Sequence, residues 1–406
     1  MERYREYKES GVKWLGEIPS HWEVVPLRKY LKINTRRNMP EAQLLSVTRE
    51  EGVIVRNVES KEENHNYIPD DLSNYKYVQR GQFVINKMKS WQGSYGVSNY
   101  DGIVSPAYFV YDLNYPNKDY FNIAIRSKIF SPFFSKYSKG IRVDQWDLTP
   151  EALKIIPFLE PPKAEQDAIV RYLDSATSEI DKAIAKQQKM IDLLNERKQI
   201  IIQNAVTKGL DENVEMKESG VEWIGRIPKH WGLIKIKHLA KLQSGSNLTS
   251  NDISDIGLYP VYGGNGQRGY YNRYNCEGSY ILIGRQGALC GNINYAEGKF
   301  WATEHAVVCY PKKGYNTLWL GETLRLMNLG QYSLATAQPG LAVERINGLY
   351  LPYPALEEQN GIALFLKNKI DKIDLYAKYC QRQITLLQER KQIFINEVVT
   401  GKVRVS

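Results

Sequence analysis

Apolar residues along the chain form two long seams of nearly heptad spacing, separated by short runs broken at turns. In the first seam Ile169, Leu173, Ala176, Ile180, Ala183, Gln187, Ile191, Leu194, Lys198, Ile201 and Ala205 fall mostly at alternating four- and three-residue steps. That period keeps one stripe of a helix turned toward a partner helix. In the second seam Ile362, Leu366, Lys369, Ile373, Tyr376, Cys380, Ile384, Leu387, Lys391, Phe394 and Val398 occupy the equivalent rows. Neither stretch contains proline, and Gly361 stands only at the start of the second. Pro161 and Pro162 precede the first helix and Pro352 and Pro354 the second, where proline stops an incoming strand and orients a helix start. A helix of about 42 residues spans roughly 60 Å at 1.5 Å per residue, far more than one globular core needs. Two separate surface helices, or a homodimerising coiled coil, would carry the same pattern. Matched seams within one chain favour the two helices packing on each other, and the duplicated order of elements makes an antiparallel pair the natural arrangement.

The duplication is explicit. Lys8-Glu-Ser-Gly-Val-Lys-Trp-Leu-Gly-Glu-Ile-Pro-Ser-His-Trp22 recurs as Lys217-Glu-Ser-Gly-Val-Glu-Trp-Ile-Gly-Arg-Ile-Pro-Lys-His-Trp231. Leu193-Leu-Asn-Glu-Arg-Lys-Gln-Ile200 recurs without gaps as Leu386-Leu-Gln-Glu-Arg-Lys-Gln-Ile393, and both copies run on to Val-Thr, at Val206-Thr207 and Val399-Thr400. One unit, made of an opening motif, a long middle and a helix, has been built twice.

The two middles read as mixed α and β. Gln82-Phe-Val-Ile-Asn86 and Tyr280-Ile-Leu-Ile-Gly284 are strand-like, and Gly93, Gly96 and Gly102 after the first are loosely echoed by Gly287, Gly291 and Gly298 after the second. Their loops share little. Lys87-Met-Lys-Ser-Trp-Gln92 stands roughly where the other half has Arg285-Gln-Gly-Ala288. A shared scaffold with dissimilar loops suggests two readers of different short targets on one frame, whereas a symmetric enzyme pair would repeat its catalytic residues.

With 406 residues the chain exceeds what a single core usually supports, so at least two globular units are expected. A hydrophobic share of 43% with 24% charged residues suits a folded protein. No run of about 18 apolar residues suggests a membrane span, and the polar, charged residues from Met1 to Ser10 do not read as a signal peptide. The four cysteines, Cys276, Cys290, Cys309 and Cys380, form no CxxC pair, so neither a disulfide framework nor a zinc site is indicated and a reducing cytoplasm is the default. The net charge of +9 and a pI near 9.0 favour a polyanionic partner, because a cation meeting a phosphate releases condensed counterions.

Catalytic chemistry is hard to find. Gly264-Asn-Gly-Gln-Arg-Gly269 fits a dinucleotide-binding fingerprint, but Tyr270, Tyr271, Asn272 and Tyr274 follow instead of a helix face. His21 and His230 belong to the opening motif, where packing beside Trp22 and Trp231 is expected. His65, His238 and His305 have no metal-like or nucleophile-like spacing. No H-E-x-x-H, G-x-S-x-G, Walker A or Asn-Pro-Pro-Tyr-like segment is present. Groove reading, by contrast, needs planar donors and acceptors for base edges, cations for phosphates and aromatics for stacking. The first half offers Asn86, Lys87, Lys89, Trp91 and Gln92, with Arg142, Gln145 and Trp146 later. The second offers Asn265, Gln267, Arg268, Tyr271, Arg285 and Gln286, with Gln338 and Arg345 later.

In this organisation the chain resembles the specificity subunit of type I restriction-modification systems over essentially its whole length. The resemblance is carried by Trp14-Leu-Gly-Glu-Ile-Pro-Ser-His-Trp22 and Trp223-Ile-Gly-Arg-Ile-Pro-Lys-His-Trp231, by the helix starts Glu165-Gln166 and Glu358-Gln359 after prolines, and by the Leu-Leu-x-Glu-Arg-Lys-Gln-Ile segments. Gly81-Gln-Phe-Val-Ile-Asn-Lys-Met88 with Gly102-Ile-Val-Ser-Pro-Ala-Tyr108 looks like one recognition domain of that family; Tyr262-Gly-Gly-Asn-Gly266, Gly284-Arg-Gln-Gly287 and Phe300-Trp-Ala-Thr-Glu-His305 look like another. It implies an α+β fold: two mixed α/β target-recognition domains separated by two long helices packed as an antiparallel coiled coil, an internal duplication with pseudo-two-fold symmetry. The expected segments are 1–156 (first recognition domain), 157–211 (central helix), 212–354 (second recognition domain) and 355–406 (C-terminal helix).

The resemblance further implies a non-catalytic subunit that reads an asymmetric bipartite site in double-stranded DNA, one half per domain, with the helices setting the spacing. Its implied partners are two modification subunits, which bind S-adenosylmethionine and methylate adenine N6, and restriction subunits that use ATP and Mg to translocate and cleave; no cofactor is implied for this chain itself, and no membrane. The helix faces around Glu196, Arg197 and Lys198, and around Glu389, Arg390 and Lys391, are plausible docking surfaces. A scaffold that organises partners without reading bases, and a self-sufficient methyltransferase, are the competing readings.

Overall fold

A computed structural model describes residues 2–58, 68–138, 140, 146–287, 289–333 and 340–405. The chain divides into two compact units, residues 1–187 with 382–406, and residues 188–381. Each unit therefore takes half of each long helix, Lys163–Lys208 and Leu356–Val399. At 46 and 44 residues they slightly exceed the length expected from the seams.

Within the first unit the N-terminal half of the first helix lies antiparallel to the C-terminal half of the second, since Ile169 and Leu173 share a core with Val398 and Val399. Within the second unit Ile202, Ala205 and Val206 share a core with Ile362, Ala363 and Leu366, again antiparallel. The seam contains one irregularity. Lys369 and Tyr376 are exposed, and Ile370 and Ala377 turn inward in their place, because a straight helix of 3.6 residues per turn drifts from a strict heptad. Two polar seam positions are satisfied across the pair. Lys198 Nζ lies 2.8 Å from Asp374 in the second unit, and Lys391 Nζ lies 2.7 Å from Asp181 in the first. Asp374 corresponds to Asp181 and Lys391 to Lys198, so one ion pair has been written twice. A polar residue in an apolar seam fixes register, because any other register leaves it facing hydrocarbon.

Each unit is tied to its helix by the residues that recur. In the first, Glu165 in the opening turn of the helix accepts hydrogen bonds from the buried Trp22 indole (2.9 Å) and from the Tyr4 hydroxyl (2.8 Å), and His21 Nε2 lies 2.6 Å away. Gln166, buried beside it, donates to the Pro161 carbonyl at 2.8 Å. In the second unit His230 lies 3.1 Å from Glu358 and Gln359 donates to the Pro354 carbonyl at 3.0 Å, but the Trp231 indole has no partner among the described residues. Burial alone would raise the pKa of Glu165. The hydrogen bonds from Trp22, Tyr4 and His21 outweigh it and hold the carboxyl below its ordinary 4.5. The stabilisation is therefore complete above about pH 4.5 and is lost as pH falls through the lowered value. Glu165→Ala, which strands the buried indole N–H, is expected to cost the first unit about 1–3 kcal/mol. Thermal melts between pH 7 and 3 should show the variant losing less stability on acidification than the parent chain.

The middles share a core sheet. In the first unit four antiparallel strands run in the order Leu31–Asn34, Tyr108–Leu113, Phe83–Asn86, Tyr95–Val97. The second unit repeats that order with Ala240–Ser244, Ala306–Pro311, Cys276–Gly284 and Ile293–Ala302. Here a hairpin, Tyr259–Gly263 with Gly266–Tyr271, extends the sheet through a parallel pairing to Ile293–Ala302. The first unit instead carries two two-stranded pieces, Leu45–Thr48 with Gly52–Val55 and Lys76–Val78 with Gly102–Val104, joined by a parallel bridge between Leu44 and Ile103. In both units the strand just before the long helix pairs with the strand just after the opening motif, Pro157–Glu160 with Glu23–Pro26 and Tyr350–Tyr353 with Gly232–Lys235. One scaffold has been built twice and elaborated differently.

Candidate nucleic-acid interface

The loops singled out by sequence occupy the same place on the two scaffolds, directly after the equivalent strands Phe83–Asn86 and Cys276–Gly284. A second segment docks on each loop by the same hydrogen bond. Leu148 N–H donates to the Lys87 carbonyl at 3.1 Å, and Leu341 N–H to the Arg285 carbonyl at 2.8 Å. Each rim is thus assembled from two stretches distant in sequence, and the chemistry differs between them.

In the first unit Trp91 and Trp146 meet with ring centroids 5.2 Å apart, one from each stretch. Lys87 pairs with Asp147 at 3.0 Å, which orients its ammonium along the same edge. Lys89 and Gln92 are exposed beside them. Asn86 is placed differently from its neighbours: it is 8% exposed, and its side-chain oxygen accepts from Met88 N–H at 3.2 Å, forming the turn that presents the loop. Arg142, Gln145, Gln338 and His65 lie outside the described residues.

The first rim also holds a cation that sequence reasoning passed over. Lys76 is buried in Lys76–Val78, its ammonium donating to the Tyr108 carbonyl and lying 5.1 Å from the Phe109 ring. Burial, and then the neighbouring charges of Arg37 and Lys87, lower its pKa. A lysine whose charged form is disfavoured by burial and by two neighbouring cations favours an anionic visitor. Nothing in the sequence marks Lys76, because its neighbours come from the sheet order and not from adjacent residues.

In the second unit Gly264-Asn-Gly-Gln-Arg-Gly269 forms the turn and second strand of the hairpin, with Gly266 at φ +93°. The helix that a dinucleotide site would need after it is replaced by a strand. Asn265, Gln267 and Arg268 are exposed on this hairpin, and Asn292 Nδ2 donates to Asn265 Oδ1 at 3.0 Å. Arg285 donates to Ser244 Oγ at 3.2 Å and Gln286 is exposed next to it. The Gly264 turn comes against the His305 and Gln286 carbonyls, so Asn265, Arg285, Gln286 and His305 share one end of the sheet. Tyr271 lies toward the other end of its strand, edge-on to Trp301 at 5.3 Å. Arg345 is exposed on the short helix Val343–Asn347. Among the described residues no three His, Cys, Asp or Glu side chains gather as a metal site, and no helix is long and apolar enough to cross a membrane.

On the helices, the repeated Leu-Leu-x-Glu-Arg-Lys-Gln-Ile segment has two faces. Lys198 and Lys391 are committed to the ion pairs described above. Glu196, Arg197, Glu389 and Arg390 are exposed, together with Leu193, Ile200, Leu386 and Ile393, which are 48%, 58%, 47% and 55% exposed. The same apolar and charged residues are presented to solvent in both copies.

A duplicated scaffold whose helical faces repeat and whose rims differ is the make-up expected of a two-headed recognition subunit. Comparison with known proteins agrees. Residues 228–384 match the family described as type I restriction modification DNA specificity domain. The specificity subunit of the Escherichia coli type I restriction enzyme EcoprrI is 39% identical over 161 residues, which span 37% of this chain and 40% of that subunit. The putative MjaX specificity subunit of Methanocaldococcus jannaschii is 24% identical over 98% of both chains. A solved chain from a study of type I R-M complex assembly shares the fold, with a TM-score of 0.69 at 13% identity, covering 95% of this chain and 99% of that one. Residues 228–384 thus resemble a type I DNA specificity domain, and the chain as a whole is similar to type I restriction-modification specificity subunits.

Proposed function

We propose that this chain selects the DNA target of a type I complex by reading an asymmetric split sequence, one half with each head, while the long helices hold the two readings at a set spacing. The observation that carries the proposal is the pair of equivalent loops, at Lys87–Gln92 and Arg285–Gly287, which occupy one place on one scaffold with different side chains. Planar amides and guanidinium groups at both rims suit base edges, and the surrounding lysines suit phosphates. The net charge of +9 supports the same polyanionic partner.

The chemistry is assigned to partners in the cytoplasm. Two modification subunits would bring S-adenosylmethionine, and restriction subunits ATP and Mg; this chain would bind none of them. The repeated exposed faces around Leu193, Arg197 and Ile200, and around Leu386, Arg390 and Ile393, suit two copies of one partner, since the same surface is offered twice. Co-expression with a cognate modification subunit, followed by single-molecule mapping of N6-methyladenine on plasmid DNA, tests the reading. Methylation should fall on one split motif, and exchanging one head should alter one half of it. Methylation indifferent to this chain would favour a scaffold without base readout.

A further inference from the structure

We propose that Glu304, steadied by His305, is a base-reading acceptor of the second head, selecting the exocyclic amine of a cytosine or an adenine at one position of its half-site. The inference rests on the reading of the second head as a DNA-binding surface and deepens it to one residue and one kind of base.

The geometry begins with the sheet. Glu304 and His305 form the turn between the strands Ile293–Ala302 and Ala306–Pro311, at the end of the sheet that holds Asn265, Arg285 and Gln286. The turn is fixed on every side by backbone. Thr303 N–H donates to the Tyr262 carbonyl at 2.9 Å, Arg285 N–H to the His305 carbonyl at 2.9 Å, and Gly245 N–H to the Ala306 carbonyl at 3.0 Å.

The side chain is under-satisfied. His305 Nε2 lies 3.1 Å from Glu304 Oε1, and Glu304 Oε2 is shut from solvent with no donor among the described residues. A carboxylate can take about four hydrogen bonds, and leaving one oxygen dry and unpaired costs free energy. The side chain is still a third exposed, so a donor arriving from solvent can reach the carboxylate while His305 holds it. Its neighbourhood contains other polar atoms awaiting partners. The Thr303 hydroxyl and the Asn294 amide nitrogen are likewise buried without one, and Asn294 lies beside the Gly266 end of the hairpin.

A carboxylate on this rim is costly near phosphates, whose charge repels it. It is favourable where a base offers an amine. In the major groove that means cytosine N4 or adenine N6. Thymine and guanine place a carbonyl oxygen at the corresponding position, and a carboxylate cannot donate to it. Glu304 would therefore accept C and reject T, or accept A and reject G.

Replacing Glu304 with glutamine tests this sharply, because an amide accepts through its oxygen and donates through its nitrogen. In the complex with the modification subunit, E304Q is expected to relax one position of the second half-site from C to C or T, or from A to A or G. The first half-site and the spacer should not change. Discrimination at that position should fall by roughly ten- to a hundredfold, in line with a single base-edge contact. E304A should lose the same discrimination and also bind more weakly, and melting curves for both variants should match the parent chain. An unchanged motif in E304Q and E304A, with the parent complex still methylating a split site, would overturn the assignment and leave the two-headed reading intact. Loss of the split motif in the parent complex would remove both. If E304Q melts early, selection of duplexes from a random pool by folded E304D, which keeps the acceptor and should keep the C or A preference, separates misfolding from misreading.

Discussion

Gly284→Ala is expected to abolish reading by the second head while leaving the first half-site recognised. Gly284 ends the central strand Cys276–Gly284 and stands where the first head has Asn86. A β-carbon there would sit 2.3 Å from the Gly264 carbonyl oxygen and 2.8 Å from that of Leu289. Both are backbone atoms, so no side-chain rotation relieves the clash. The strand end cannot retreat either: Gly284 N–H donates to the Asn292 carbonyl at 2.8 Å, and its own carbonyl accepts from Gly291 N–H at 2.7 Å. What gives way is the turn carrying Asn265. Overpacking of this kind costs about 1–3 kcal/mol, and a displacement of even an ångström removes the hydrogen bonds that base readout depends on. Gly298→Ala is the matching control in the same sheet, because φ is +78° there but nothing lies within 4 Å of the added carbon. It should cost about 1–2 kcal/mol of stability from backbone strain alone and leave the methylated motif unaltered. A motif that survives Gly284→Ala intact in both halves would show that the Asn265 turn takes no part in recognition.

The contrast between Gly284 and Asn86 also shows where sequence reading stops. Helix period and repeated motifs are properties of adjacent residues, so the two long helices, their antiparallel sense and the duplication were all legible. The opening His-Trp motif and the Glu-Gln helix start were both visible as repeats. That Glu165 accepts from Trp22 and lies against His21 was not, because a contact over so long a stretch of chain is made by the fold. The same limit applies at the rims. Asn86 reads as a base-contacting amide from its type and neighbours, but it closes a strand whose residues are all buried, and its oxygen is used by its own turn. Lys76 looks ordinary in sequence, and Glu304 is marked only as part of the Phe300–His305 segment, with nothing to single out its own side chain. Their surroundings are supplied by the strand order, which sets Lys76 near Arg37 and Lys87 and brings the Glu304 turn to the Asn265 hairpin. Lys198 and Lys391 sit at the junction of the two kinds of information: the seam marks them as out of place, and the fold provides Asp374 and Asp181 as the reason.

Those ion pairs define how the proposed spacing can be altered without damaging either head. Adding one heptad after Gln187 and another after Gln381 places both insertions at the boundary between the units, so Asp181 stays with Lys391 and Lys198 with Asp374. A seven-residue addition keeps the apolar seam in phase. It lengthens each helix by about 10 Å at 1.5 Å per residue, close to three base pairs at ~3.4 Å each. The methylated motif is expected to keep both half-sites and gain about three base pairs of spacer. Affinity should fall as well, because three base pairs turn the second half-site by roughly 100° around a duplex of about 10 base pairs per turn, while a heptad turns the helices by only ~20°. Three heptads in each helix add roughly 31 Å, near one full turn of DNA (~34 Å), so binding should recover at a spacer about nine base pairs longer. Inserting the heptad in one helix alone leaves seven residues without a partner and should destabilise the pair. An unchanged spacer in the doubly extended chain would mean that the helices do not measure the distance between the half-sites.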